Sequence, residues 1–281
     1  MIVRWMLLFL LLAVPAQAGK LGLECPRAIG IGLPFTVRVE SDVPLDRLRV
    51  DWAGKSMQFS VGAVTSVEFL LGTDVLHSKS GTETLRVVKL GLNPLAVETL
   101  VQIEKRLFPE QRLTVPQDMA TPPASAQQRI ARENALVRET LARVSPVNHL
   151  VLPLIRPVPG RVTSAYGLTR FFNDAPRNPH RGLDLDAALG EPVQAAAAGQ
   201  VVLADDHYYA GRCVFIDHGW GVHTLYLHLD GVEVRQGDMV EAGQTIGRAG
   251  RTGRVTAPHL HFGLSILDLS VDPTSLFFQA P

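Results

Sequence analysis

The chain has 281 residues, 46% of them apolar, with 27 basic and 27 acidic side chains and therefore no formal net charge. That length suits one large or two moderate domains with a real buried core. The even charge balance gives no electrostatic case for a nucleic-acid or anionic-membrane partner. The 24 glycines and 19 prolines point to a turn-rich, β-rich architecture rather than a helical bundle.

The first residues read as a targeting segment. Arg4 supplies a short basic region and Met6 to Val14 an unbroken apolar run. Ala16-Gln17-Ala18 has the small-x-small pattern that precedes signal-peptide cleavage. The run is shorter than the about 20 residues a membrane span needs. Residues 1–18 are expected to be a signal peptide, and the mature chain to be exported, periplasmic or envelope-associated, with no transmembrane segment. Cys25 follows Glu24, where lipid attachment expects a small residue. Cys213 opens the apolar run Cys213-Val214-Phe215-Ile216, which suits a buried free thiol.

Residues 19–115 read as short strands between turns. Phe35 to Glu40 alternates apolar and polar as a half-buried strand does, and Leu48–Trp52, Met57–Val61, Val67–Leu71 and Glu83–Val88 continue the pattern. This spacing predicts an immunoglobulin-like β-sandwich of roughly 100 residues, serving as an accessory domain. Its one histidine, His77, is expected at the surface. Residues 116–149 form a linker. Pro116, Pro122 and Pro123 break the chain, and Ser125-Ala126-Gln127-Gln128 predicts a capping box with Ser125 as N-cap. Ile130, Val137, Leu141 and Val144 then share one side of an amphipathic helix that ends at Ser145-Pro146.

Residues 150–281 are β-rich again. Strand-like runs include Val162–Tyr166, Gln200–Ala204, Cys213–Asp217, His223–His228, Thr245–Arg248 and His259–Leu264, with glycines between them. The fold class expected for the whole chain is all-β, a sandwich followed by an antiparallel β-groove domain.

Eight of the nine histidines lie from His149 onward, four of them in short, distinctive contexts. In His180-Arg181-Gly182-Leu183-Asp184, the glycine is expected to let the backbone bend so that one imidazole and one carboxylate meet at a single ion. His259 and His261 lie two residues apart in a strand-like run and so share a face, with Leu260 and Phe262 on the other. By the same alternation Tyr226 and His228 share a face. Imidazoles and a carboxylate suit zinc, and three protein ligands leave a position open for catalysis. Two further histidines nearby would move a proton and stabilise an oxyanion. Together these residues are a kit for metal-assisted amide hydrolysis.

The three motifs His180-Arg181-Gly182-Leu183-Asp184, Tyr226-Leu227-His228-Leu229 and His259-Leu260-His261 resemble, in order, those of the lysostaphin/LytM-type zinc endopeptidase family. Ser164 to Arg170, Ala195 to Val201 and Ile216-Asp217-His218-Gly219 resemble its flanking segments, so the resemblance covers about residues 150 to 275. It implies a bound Zn2+ with His180, Asp184 and His261 as ligands, His259 as general base and His228 as its catalytic partner. It also implies peptidoglycan as substrate and hydrolysis of a stem-peptide or cross-link bond. The alternative is a non-catalytic cell-wall-binding or activator protein whose zinc site is shielded. An intramolecular contact of the N-terminal domain with the groove, or the insert Phe171 to Asn178, would supply the shield. Among the remaining histidines, His218 is expected to be structural, His223 to face away from His228, and His207 to be exposed. Tyr166 and Arg170 are candidates for substrate contact or packing.

Overall fold

A computed structural model of the chain describes residues 19–114 and 121–277. The expected signal peptide and the break at Pro116 lie outside the described residues. The N-terminal half contains β1 (Leu21–Glu24), β2 (Ala28–Gly30), β3 (Pro34–Trp52), β4 (Lys55–Gly72), β5 (Gly81–Lys89), β6 (Leu95–Glu104) and β7 (Glu110–Leu113). The helix α1 (Gln127–Leu141) follows. The C-terminal half contains β8 (Val162–Ser164), β9 (Thr169–Phe172), β10 (Ala175–Pro176), β11 (Leu183–Leu185), β12 (Pro192–Gln194), β13 (Gly199–His207), β14 (Gly211–Asp217) and β15 (Val222–Val232). It ends with β16 (Met239–Val240), β17 (Thr245–Ala249), β18 (Leu260–Ile266) and β19 (Leu269–Val271). The mainly β class read from the sequence is the class observed.

Four of the short strands expected in the N-terminal half fuse in pairs. Phe35–Glu40 and Leu48–Trp52 are the two ends of the 19-residue β3, and Met57–Val61 and Val67–Leu71 lie in the 18-residue β4. The polar stretches between them stay in the β3–β4 ladder through register shifts between Glu40 and Arg47, where bulges bend the strands. β3 pairs with β1 near Glu40 and with β5 near Val50, so β1 to β6 hydrogen-bond as one six-stranded sheet. Val37, Val39, Leu48, Val50 and Trp52 from its inner face are buried. Burial of each such side chain contributes about 1.5–3 kcal/mol.

The C-terminal half is built on an antiparallel sheet running β16-β13-β14-β15-β18-β11-β8, with β12, β17 and β19 attached. It has two covered faces. Val214, Ile216, Tyr226, Phe262 and Leu264 line one and join the main core. Leu203, Cys213 and Phe215 line the other and pack with Leu136, Val137 and Leu141 of α1. Cys25 and Cys213 are both free thiols, and burial raises that of Cys213 to about 12.

The predicted capping box is replaced by backbone. A 3-10 turn at Ala124–Ala126 leads into α1, the Ala126 N–H donates to Pro123 O at 3.0 Å, and no side chain caps the helix. The helix ends at Leu141, before the Ser145-Pro146 stop. Its apolar side also carries the buried Glu133, whose carboxylate accepts from Arg129 Nε (2.5 Å) and from the Tyr208 N–H (2.8 Å). The helix therefore fixes the turn that presents Tyr208 and Tyr209.

The two halves share one core. Phe59 packs on Trp220 with ring centroids 4.6 Å apart. The buried Asp74 accepts from the Ser270 N–H at 2.8 Å. Tyr166 is buried between the halves, where its hydroxyl donates to Ser270 O (2.6 Å) and accepts from the Val75 N–H (3.1 Å). Finally β7 runs parallel to β9, which carries a strip of the N-terminal half to the rim of the groove described next.

Candidate active site

β11 and β18 set the centre of the site. They pair antiparallel with Asp184 directly opposite His261, so the two side chains stand beside each other on one face. Leu183, Leu185, Leu260 and Phe262 alternate onto the core face and anchor the pair. His180, buried just before β11, completes a cluster. Its Nε2 lies 2.9 Å from Asp184 Oδ1 and 3.0 Å from His261 Nδ1, and His261 Nδ1 lies 2.8 Å from the same oxygen. Among the described residues this trio is the group whose ligand atoms converge closely enough to hold a metal ion.

Two of the three ligand atoms are aimed by a contact at the other end of their side chain. His180 Nδ1 donates to Ala165 O at 2.8 Å, which leaves Nε2 as the free lone pair. Arg170 donates to Asp184 Oδ2 at 3.0 Å and also to Ser164 Oγ and Gln111 Oε1, which leaves Oδ1 for the cluster. Arg170 therefore positions a candidate ligand rather than meeting substrate first. Gly182 acts differently from the expectation. A Cβ there would lie 2.6 Å from His261 Nε2 and 2.5 Å from Phe262 O, so the glycine makes room for the second imidazole instead of supplying a bend. Two imidazole lone pairs and a carboxylate oxygen within 3 Å of one another form a donor set that fits a small cation. Burial would raise the Asp184 carboxyl, but the contacts from His180 and His261 outweigh it and hold it well below the usual carboxylate range. His261 is pushed down to about 4 by burial, against the pull of Asp184.

His259 and His228 flank the trio. His259 shares the face of His261, as expected, with Nε2 3.7 Å from Asp184 Oδ1 and Nδ1 bonded to Ala257 O at 2.9 Å. His228 arrives by another route. Tyr226 pairs with Phe262, and Leu227 pairs with His261, so simple alternation would send His228 to the core face with Tyr226. The register of β15 against β14 shifts here, and His228 has φ +66. This bulge turns its ring to within 5.0 Å of the His259 ring and 6.0 Å of the His261 ring. Tyr226 stays in the core, accepting from the Ala196 N–H at 2.7 Å. A non-glycine residue in left-handed backbone costs on the order of 1–3 kcal/mol, and such strain gathers at functional positions. His228 Nδ1 donates to Thr252 O at 3.0 Å; burial, with the nearby His261 and His259, pushes it down to about 3.

The remaining histidines divide. His218 is structural, its two nitrogens 2.7 Å from Ala198 O and from Thr224 Oγ1. His223 lies by plain alternation on the same face as Leu225, Leu227 and His261, and the bulge brings His228 to that face too. His223 therefore does not face away from His228 but sits at the far end of β15 beside Asp217. His207 is buried and 3.3 Å from Asp205, not exposed.

The trio sits between two cavities of one groove, about 340 and 710 Å³. Arg170, Phe172 and Arg254 border both, and Gln111 and Leu113 of β7 line the smaller. Gln111, Arg254 and Glu133 were missed in the sequence because nothing local marks them. Each meets the site through a partner remote in the chain.

Together the fold and site define a mainly β protein with a His-Asp-His cluster able to hold a metal ion on the floor of a groove. The chain carries a Peptidase family M23 domain: that family's profile matches residues 178–273. The chain is 43% identical over 94 residues to the peptidoglycan DD-endopeptidase ShyB of Vibrio cholerae, covering 34% of this chain and 22% of the relative. It is 47% identical over 88 residues to ShyA of the same organism, covering 31% and 20%. It thus spans about a fifth of the length of these curated relatives. An uncharacterized metalloprotease of Haemophilus influenzae is 31% identical over 224 residues, covering 79% of this chain and 39% of that one. A crystal structure of a Pseudomonas aeruginosa protein assigned to peptidase M23 aligns over 86% of this chain and 93% of its own, at 29% identity and a TM-score of 0.65.

Proposed function

We propose that the chain is an exported zinc endopeptidase that hydrolyses peptide bonds in peptidoglycan stem peptides or cross-links. His180, Asp184 and His261 are the metal ligands, and His259 and His228 are the catalytic pair. In this reading residues 1–18 are removed, residues 19–115 are an accessory domain and residues 150–281 carry the catalysis. The observation that carries it is the convergence of five side chains at one point: three aim unspent ligand atoms at each other, and two imidazoles stand beside them. Bound there, zinc would supply Lewis acidity toward a carbonyl and lower the pKa of a water.

The chain's own residues handle the protons. With Nδ1 donated to Ala257 O, His259 presents Nε2 to take a proton from the attacking water and return it to the leaving amine. With Nδ1 donated to Thr252 O, His228 likewise presents Nε2, and on holding a proton it faces the developing oxyanion. Arg170 keeps Asp184 turned inward, and the apolar underside of β18 keeps water from the back of the site.

A second reading, a wall-binding or activator protein with a shielded site, draws on the strip of β7 at the groove and on Arg254 stacked between Phe172 and Tyr209. Digestion of purified peptidoglycan by the full chain, with and without a chelator, separates the two. The endopeptidase releases fragments with new amine termini that vanish on chelation and return with zinc. A chain that binds one zinc and releases nothing supports the shielded reading.

A further inference from the structure

The groove beside the metal-binding trio is charged unevenly. Its larger cavity is bordered by Arg170, Arg177, Arg181 and Arg254 and, among the described residues, by no acidic side chain. In a chain with no net charge, such segregation is a local arrangement, not a reflection of composition. Arg170 is committed to Asp184 and Gln111, and Arg181 lies 3.8 Å from the buried Asp74 carboxylate.

Arg254 has no such commitment. Its guanidinium lies 4.2 Å from the Tyr209 ring centroid and 5.3 Å from that of Phe172, and among the described residues its side chain meets no hydrogen-bond acceptor and no carboxylate. Ring stacking uses the flat faces of a guanidinium and leaves its in-plane N–H donors unspent. Those donors are held rigid by two aromatic rings and have Arg177 and Arg170 as like-charged neighbours. Burial and that repulsion lower the guanidinium below the usual arginine range. An anion is the group that completes this geometry, and a planar carboxylate matches a guanidinium edge with two parallel bonds. Across the trio the smaller cavity, which Arg170 and Arg254 also border, carries the exposed Asp186, so the larger cavity is the more basic of the two.

We infer that the arginine-lined cavity is a carboxylate subsite, in which Arg254 takes a free carboxylate of the bound peptide close to the bond lying over His180 and His261. Asp186 on the opposite flank disfavours the reversed orientation. The peptide as ligand rests on the endopeptidase reading; the anion selectivity of the cavity does not.

The test is binding, so that it stays readable whether or not the protein proves to be a hydrolase. The full chain carrying His259→Ala and loaded with zinc is titrated calorimetrically with diacetyl-Lys-D-Ala-D-Ala and with its C-terminal carboxamide. The free acid should bind about tenfold more tightly, with a preference that shrinks as salt rises. Adding Arg254→Gln should bring the ratio of the two dissociation constants close to one. Arg254→Lys, which keeps the charge but loses the stacked fork, should leave an intermediate ratio. Matching thermal midpoints establish that the variants are folded. Equal affinities for acid and amide in the parent, or an unchanged ratio in Arg254→Gln, would overturn the subsite. Separately, failure of wild-type protein to cut peptidoglycan would overturn the endopeptidase reading and leave the acid-to-amide ratio standing.

Discussion

The strands β14, β15 and β18 serve two histidine-aspartate clusters of similar composition and opposite character. At one end, His218 and His223 surround Asp217. At the other, His180, His261, His259 and His228 surround Asp184. In the first, His218 and Asp217 spend their contacts locally, while the ring nitrogens of the buried His223 find no hydrogen-bond partner among the described residues and converge with no other ligand atom, Nε2 lying 3.8 Å from Asp217 Oδ1. His218 uses both nitrogens on Ala198 O and Thr224 Oγ1, and Asp217 accepts from the Gly219 N–H at 2.7 Å and from Ser145 Oγ. In the second, each of His180, His228 and His259 spends one nitrogen on a backbone carbonyl and keeps the other free toward a common point. What separates a site from a structural cluster is therefore the number of unspent ligand atoms that converge, not the presence of histidine beside a carboxylate.

Substitution at the two ends gives the sharpest contrast. His180→Ala should lose both bound zinc and turnover, because two ligands rarely hold the ion alone. His259→Ala should keep zinc near one per chain while turnover falls about 10³-fold, the scale of a lost general base. His218→Ala should lose stability yet keep one zinc per folded molecule. Metal analysis and peptidoglycan digestion on the same three samples read all of this. Equal zinc loss from His180→Ala and His259→Ala would dissolve the division between ligands and base.

A smaller effect tests how the site is aimed. Arg170→Met removes the donor to Asp184 Oδ2 while leaving all three ligands. Loss of such an outer contact lowers metal affinity by about 10–100-fold. Competition with a zinc chelator measures it. Affinity unchanged from wild type would mean that the β11–β18 register alone aims Asp184, and Arg170 would then be a packing residue after all.

The sequence made the candidate ligands legible because short spacings bring them together: His259 and His261 two residues apart at the head of β18, and His180 four residues ahead of Asp184 in β11. It misled wherever geometry departs from simple spacing. Tyr226 and His228 read as one face because alternation assumes an unbroken strand, and the bulge at φ +66 sends them to opposite faces. Ser125 read as a cap because the sequence does not reveal that Pro123 begins a 3-10 turn whose carbonyl takes the Ala126 N–H. The fusion of four expected strands into β3 and β4 depends on bulges that preserve pairing across polar residues, which a hydrophobic pattern interrupts. Gln111, Glu133 and Arg254 gain their meaning from partners at 59, 75 and 45 residues' remove: Arg170, Tyr208 and Tyr209.

The subtlest difference between the clusters concerns protons. Burial pushes His218 down to about 4 from an ordinary 6.5, with the nearby His223 adding to the effect and Asp217 opposing it. Between those values the unfolded chain binds a proton at this position that the folded chain does not. The contribution of His218 is thus complete above pH 6.5 and is lost as pH falls toward 4, at a slope of up to ~1.4 kcal/mol per pH unit. His228 and His261, at about 3 and 4, add slopes of the same sign in metal-free protein. Urea midpoints between pH 7 and pH 5, measured with chelator on wild type and on His218→Asn, isolate one group. The variant should lose less stability over that interval, by an amount approaching one proton's slope. Parallel losses would mean that His218 titrates alike in the folded and unfolded chain, and that burial does not hold it neutral. In that case the structural cluster would be as open to protons as the site, and the contrast between the two ends would rest on ligand geometry alone.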